Sequence, residues 1–115
     1  MPIRQTTRGD VVILTLEGNF LCQPENTELK DKITSLLGKE VQHFIIDMGE
    51  VTCINSDGLG VLISSLATLR RAGVELRLAN TTDLVDNLLL LTQLVKIFDT
   101  YGTVEQALTG KKDKE

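Results

Sequence analysis

The stretch that decides the fold lies in the middle of the chain, where residues 44–62 read FIIDMGEVTCINSDGLGVL. The run Phe44–Asp47 is short and apolar, which is typical of a buried strand. Ser56 then stands where a helical pattern begins, and Gly58 and Gly60 follow it closely. The stretch therefore predicts a strand followed by a helix, with a hydroxyl at the helix start and little side-chain bulk around it.

A serine at the start of a helix can have either of two roles. Helix N-termini carry unpaired backbone N–H groups and the positive end of the helix dipole. The Ser56 hydroxyl could cap the helix by accepting a hydrogen bond from one of those N–H groups. It could instead carry a phosphate, which adds roughly −1.5 to −2 charges and which the dipole stabilises. Asp57 works partly against a phosphate, because it places a second negative charge beside it.

Strand and helix patterns alternate along the rest of the chain. An opening hairpin is predicted to pair Ile3–Thr7 with Val11–Leu16 across a turn at Gly9. Helices that cross over between strands imply parallel pairing, so we predict one α/β domain over residues 1–110, with 111–115 as a solvated tail. We expect a mixed sheet of four or five strands and about four helices. The elements predicted after the hairpin are a helix from Pro24 to Gly38, a strand Val41–Met48, a helix Asp57–Ala72, a strand Val74–Leu78, a helix capped by Thr81–Asp83, a short strand Ile97–Phe98 and a helix capped by Thr103.

The predicted helix Asp57–Ala72 has one apolar face. Burial of this face against the sheet predicts that Leu62→Ala or Leu66→Ala costs about 2 to 5 kcal/mol of stability. The residues of this apolar face recur at spacings of three and four; they are Leu59, Leu62, Ile63, Leu66 and Leu69.

Composition excludes several classes of function. The chain has 115 residues, of which 42% are hydrophobic and 24% charged, the profile of one globular domain. Aromatic residues make up 3%, which argues against stacking platforms for single-stranded nucleic acid. The net charge is −4 and no basic stripe appears, which argues against binding to a phosphate backbone. No apolar run approaches the ~20 residues that cross a bilayer, so membrane insertion is not expected.

The chain contains two cysteines, Cys22 and Cys53. They lack the close pairing of metal-binding clusters, so the sequence predicts neither a metal nor another cofactor. A disulfide between them is possible in principle, but residues 1–4 run straight into a strand pattern with no signal peptide, which favours a cytoplasmic chain with reduced thiols. Cys53 stands in an apolar stretch and is expected to be a small core residue.

The sequence offers little support for catalysis at Ser56. A nucleophilic serine needs a base, and the only histidine, His43, stands near the start of a strand. Asp47 ends that strand and could act as an acid, as a metal ligand or, more in keeping with its place, as a turn residue that bonds nearby backbone. A hydrolase is therefore disfavoured, and we expect a binding protein.

The two glycines after Ser56 leave two explanations open. Gly58 and Gly60 could permit close approach of a partner, or close packing within the fold. If a partner approaches, Gly58→Arg should block it and leave the fold largely intact.

At these residues the sequence resembles the STAS family, specifically bacterial anti-sigma-factor antagonists, over nearly its whole length. The family signature is a strand ending in Asp, a short loop, then Ile/Met-Asp-Ser-Ser/Thr-Gly-Leu-Gly and a helix. Asp47 and Ile54–Gly60 occupy these positions. Further matching segments are Gly73 before Leu76–Leu78, Thr92–Leu94 followed by Ile97–Phe98, and Glu105–Leu108.

The resemblance implies a phosphorylation switch. In the family, a partner serine kinase that is also the anti-sigma factor phosphorylates the serine, and a serine phosphatase reverses the modification. The unphosphorylated antagonist binds the kinase and frees the sigma factor. By position, Ser56 is the expected target. The partner-binding surface implied by the match consists of Asn19, Leu21, Asn55, Ser56, Asp57, Gly58 and Gly60.

This chain departs from the family pattern near the serine. Asn55 replaces the Asp, Asp57 replaces the second Ser or Thr, and Gly18–Leu21 lacks the two acidic residues that often follow the early strand. Gln93 also stands where a glycine usually ends the third helix. The alternative is a STAS module of a transporter accessory subunit or a signalling scaffold, in which Ser56 only caps the helix.

Overall fold

The computed structural model describes residues 3–22 and 27–110. These residues form a single α/β domain with a mixed sheet of five strands and four α-helices, as predicted. The predicted tail at 111–115 and the helix start at Pro24 lie outside the described residues. The strands are β1 (Ile3–Arg8), β2 (Val11–Gly18), β3 (His43–Val51), β4 (Glu75–Ala79) and β5 (Asp99–Tyr101), and the helices are α1 (Glu28–Leu36), α2 (Ser56–Arg71), α3 (Asp83–Leu91) and α4 (Val104–Thr109), with a 3-10 turn at Leu94–Lys96.

The sheet order is β1-β2-β3-β4-β5. The opening hairpin is confirmed: β1 runs antiparallel to β2 with Ile3 opposite Leu16, and Gly9 turns the chain with φ +63°. All later neighbours pair in parallel. The carboxyl ends of β2, β3 and β4 therefore share one edge of the sheet, and the loops that leave them lie side by side.

The core lies on both faces of the sheet and is mainly aliphatic. Helices α1, α2 and α3 pack on one face, where the largest cluster includes Leu14, Phe44, Ile46, Leu62 and Leu78. A smaller cluster on the other face is covered by the short helix α4 and consists of Val11, Ile13, Ile45, Ala79, Tyr101 and Ala107.

The buried face of α2 differs from the prediction at one residue. Leu62 and Leu66 are buried as predicted, and Leu59 packs partly buried against the core. Ile63, however, is 38% exposed, so its predicted burial is wrong. Each helical residue turns the side chain by about 100°, which places Ile63 on the flank of the buried stripe. Ser65, with 0% exposure, occupies the buried position instead.

The last strand also lies elsewhere than predicted. Ile97–Phe98 was expected to form it, but the strand is Asp99–Tyr101. The amides of Ile97 and Phe98 both donate to the Leu94 carbonyl oxygen, at 3.0 and 3.1 Å. These bonds close the preceding 3-10 turn, so the two residues end that turn, and Phe98 is buried in the core.

Two predicted helix caps are confirmed. Thr82 Oγ1 accepts from the Val85 N–H at 3.4 Å at the start of α3, and Thr103 Oγ1 accepts from the Gln106 N–H at 3.0 Å at the start of α4. Hydroxyl caps followed by an acidic first turn are a reliable local signal.

Candidate partner-binding site

The first turn of α2 is capped by Asn55 rather than by Ser56. Asn55 has an extended backbone, and its Oδ1 accepts from the Gly58 N–H at 2.9 Å. Ser56 is already the first helical residue, so the alternative in which its hydroxyl caps the helix is wrong. Asn serves as a cap as well as Asp or Ser does, because only a side-chain oxygen at that position is needed.

The Ser56 side chain is consequently not committed to the helix. Ser56 is exposed, and its hydroxyl makes no hydrogen bond with any residue in the described ranges. It lies at the positive end of the α2 dipole, where negative charge is stabilised. Asp57 is exposed beside it and already supplies one carboxylate to the first turn.

The loop after β2 supports the start of α2 from the inside. Leu21 pairs with Ile54 in an isolated parallel bridge, and the Thr52 N–H donates to the Gly18 carbonyl oxygen at 2.9 Å. Leu21 is only 1% exposed, so its side chain anchors the loop in the core and is not available to a partner. Asn19, in the same loop, is exposed.

The two glycines of the first turn have different surroundings. Gly58 is buried, and a Cβ added there would lie 2.0 Å from the Leu21 carbonyl oxygen. Close packing within the fold thus explains Gly58, and the expectation that Gly58→Arg would spare the fold is wrong. Gly60 is exposed, and a Cβ there would meet nothing within 4 Å. Gly60 is therefore the position at which bulk can be added on the surface.

The cysteines are joined rather than reduced. Cys22 and Cys53 form a disulfide across a sequence separation of 31 residues, with Cα atoms 5.9 Å apart. The expectation of free thiols is wrong for a topological reason: the parallel pairing of β2 and β3 places the segments that follow them next to each other. Both cysteines are half-buried, so Cys53 is not a core residue either. Within the described residues, no group of three or more metal-binding side chains is present.

Asp47 bonds nearby groups at the carboxyl edge of the sheet. Its Oδ1 accepts from the Gly49 N–H and from Asn80 Nδ2, each at 3.0 Å. The bond from the Gly49 N–H corresponds to the turn role among the three roles that the sequence left open for Asp47. His43 begins the strand that contains Asp47, so the nine-residue strand separates it from the Ser56 edge by about 25 Å. The two residues cannot form a nucleophile–base pair.

A shallow groove between α1 and α2 was not predicted. It has a volume of about 290 Å³ and adjoins the site through Asp57 and Gly60. Lys30 of α1 spans it and donates from Nζ to Ser64 Oγ at 2.6 Å. The sequence contains no signal for it, because it depends on how closely two helices pack. The other lining residues are Thr27 and Val61.

No helix among the described residues is both long and apolar enough to cross a bilayer. The longest of these helices, α2, has 16 residues, contains Gly58 and Gly60 and ends in Arg70 and Arg71.

Several solved structures share this fold. A candidate anti-sigma factor antagonist from Thermotoga maritima matches with a TM-score of 0.81 and 26% identity, over 94% of this chain and 92% of that one. SpoIIAA, an anti-sigma factor antagonist, matches in its unphosphorylated form with a TM-score of 0.75 and 16% identity, over 96% and 99% of the two chains. Its phosphorylated form, from Bacillus, matches with a TM-score of 0.69 and 14% identity, over 93% and 96%.

The fold also occurs outside that group. A sulfate transporter family protein from Wolinella succinogenes matches with a TM-score of 0.73 and 17% identity, over 90% of this chain and 86% of that one. Matches at such low identity show a common fold and no more. A family model for the STAS domain matches residues 2–107 of this chain. The resemblance seen in the sequence is thereby confirmed, and this protein belongs to the STAS domain family.

Proposed function

We propose that this protein is an anti-sigma-factor antagonist of the cytoplasm that binds an anti-sigma-factor serine kinase and is switched off by phosphorylation at Ser56. A serine phosphatase restores the binding form. The observation that carries the proposal is the exposed Ser56 hydroxyl at the first residue of α2, beside a cap that Asn55 supplies independently.

This arrangement suits a phosphate that changes a surface without unfolding it. The phosphate would stand at the positive end of α2, where the dipole stabilises negative charge by about 0.3 to 2 kcal/mol. The Asn55 cap does not involve the modified oxygen, so it survives the modification. Asp57 brings the local charge to roughly −3 after phosphorylation, which a complementary partner surface would have to accommodate.

The proposed partner surface is narrower than the seven residues implied by the sequence. The exposed residues are Asn19, Asn55, Ser56, Asp57 and Gly60, and we name these five the outer site. Leu21 and Gly58 lie beneath them and hold the backbone in place. The groove beside Asp57 and Gly60 extends the surface toward α1 and offers a partner side chain a concave contact.

The similar structures support the proposal because several of them are described as anti-sigma factor antagonists. The Thermotoga maritima protein is a candidate antagonist that matches over most of both chains, and SpoIIAA has been solved with and without its phosphate. The sulfate transporter family protein shows that the fold serves other proteins as well. The chemistry at Ser56 is what favours the antagonist over a transporter module here.

The test is a binding titration against each anti-sigma-factor serine kinase of the source organism, without ATP. The unmodified protein and Ser56→Ala should bind one of them, whereas Ser56→Asp should bind more weakly and Gly60→Arg should not bind. Ala67→Arg, an exposed position on α2 two turns further along, is the matched control and should bind normally. If no such kinase binds, or if Gly60→Arg binds as well as the unmodified protein, the proposal fails and a transporter or scaffold module becomes the better account.

A further inference from the structure

We propose that Cys22 and Cys53 form a reversible thiol–disulfide site that controls how firmly the loop after β2 is held against the start of α2. The inference rests on the proposed function for its consequence, because the two joined segments are those that carry the outer site. Asn19 lies three residues before Cys22, and Asn55 lies two residues after Cys53.

The contacts around the disulfide show what it adds. Cys22 follows Leu21 and Cys53 precedes Ile54, so the disulfide lies directly beside the single bridge between these segments. A local turn also closes the described loop, in which the Cys22 N–H donates to the Asn19 carbonyl oxygen at 2.8 Å. The Leu21–Ile54 bridge and the disulfide both join this loop to the segment that leads into α2.

Gly58 makes the order of this loop important for α2. Its Cα packs so closely on Leu21 that any displacement of the Leu21 carbonyl changes the surface on which the first turn rests. Phe20 and Leu21 are held by their burial, whereas Asn19 is exposed and its carbonyl oxygen accepts from the Cys22 N–H. Loss of the covalent link should thus loosen Asn19 and the Cys53–Asn55 segment first, and leave the core of α2 ordered.

The chemistry of the site is ordinary exchange with a small-molecule thiol or a protein dithiol. A thiolate of the reductant attacks one sulfur of the disulfide, forms a mixed disulfide with it and releases the other cysteine as a thiolate. A second thiolate of the reductant then displaces the remaining cysteine. The chain gains two electrons and two protons, and the reductant becomes a disulfide. An attacking thiolate needs access to one of the sulfurs, and both cysteines are half-buried rather than enclosed.

A disulfide in the cytoplasm is more often transient or redox-sensing than structural, because thiol pools there are reducing. Under the proposed function, the oxidised form would present an ordered outer site and bind its kinase well. The reduced form would have to order the Asn19 loop during binding, at a cost in affinity of about tenfold. The partner switch would then respond to thiol oxidants as well as to phosphate.

The experiment compares the full chain after treatment with oxidised glutathione and with excess reduced dithiothreitol. Alkylation and mass spectrometry count the free thiols in each form, with none expected in the first and two in the second. Amide hydrogen exchange should then be about tenfold faster after reduction at residues 19–22 and 53–55, and unchanged at residues 62–69. The doubly substituted Cys22→Ser, Cys53→Ser protein should behave as the reduced form and ignore both reagents.

The outcomes separate this proposal from the proposed function. If the oxidised sample keeps two free thiols, or if exchange at residues 19–22 and 53–55 does not change on reduction, the proposal is overturned whether or not a kinase binds. Equal kinase affinity of the two forms overturns its regulatory consequence. If no kinase binds either form, the proposed function fails, while a redox-dependent change in exchange still supports the thiol–disulfide site. The reagent-insensitive double variant guards against an effect of the reductant on the kinase.

Discussion

Helix α2 has an inner side and an outer side that differ in what they contribute. The inner side meets the loop after β2 and the sheet through Gly58, Leu62 and Leu66, all of them buried. The outer side presents Ser56 and Gly60 to solvent. The two sides alternate within a single turn, so adjacent residues in the sequence should respond to substitution in opposite ways: the inner side through stability, the outer side through binding.

The largest effect should come from removing a core side chain on the inner side. Leu62 has 0% exposure, so Leu62→Ala should lower the free energy of unfolding by about 2 to 5 kcal/mol. Ile63, its neighbour on the flank, is 38% exposed, and Ile63→Ala should cost less than about 1 kcal/mol. Urea denaturation of both variants measures the difference. Equal losses at the two positions would mean that the helix is rotated from its described orientation.

The two glycines give a second contrast, in which the changes in stability are smaller and Gly58→Ala and Gly60→Ala act in opposite directions. Gly58→Ala places a methyl group against the Leu21 carbonyl and should destabilise by about 1 to 3 kcal/mol. Gly60→Ala meets open space and replaces a poor helix former, so it should stabilise by up to about 1 kcal/mol. Thermal unfolding of the pair decides the matter, and a Gly58→Ala protein as stable as the unmodified one would rule out the tight packing on Leu21.

These contrasts also mark how far sequence reasoning reaches. The hairpin and the hydroxyl caps at Thr82 and Thr103 follow from local rules, since the deciding residues are within a few positions of each other. The need for a glycine at position 58 does not follow from local rules, because the Leu21 carbonyl that packs against it lies 37 residues away in the chain.

Two further findings depended on the same kind of long-range information. The Cys22–Cys53 pairing requires β2 and β3 to be parallel neighbours, which alternation alone suggests without fixing the register. On α2, hydrophobicity favoured Ile63 for the core, but Ser65 is the residue that faces the sheet. The location of Ser56 at a helix start was predictable, whereas the identity of the cap depended on a shift of one residue in the helix start.

The cap itself offers the third and smallest contrast. Asn55→Ala removes the side-chain oxygen that accepts from the Gly58 N–H and should cost about 0.5 to 2 kcal/mol. Asn55→Asp keeps an oxygen at the same place and restores the residue that the family pattern has there, so its stability should stay within about 0.5 kcal/mol of the unmodified protein. Chemical denaturation compares the three proteins. If Asn55→Asp lost as much stability as Asn55→Ala, the Asn55 amide nitrogen, and not its oxygen, would hold the turn.

Under the proposed function, the exposed hydroxyl of Ser56 is the point at which the protein is switched. The most direct test is site mapping by mass spectrometry after incubation with ATP and the anti-sigma-factor kinase found by the binding titration. We expect a single phosphate on Ser56 and no modification of Ser56→Ala. The phosphorylated protein should still unfold cooperatively, with only a small shift in its unfolding temperature. Phosphate on another residue, or none on Ser56 in a protein that binds the kinase, would contradict the account.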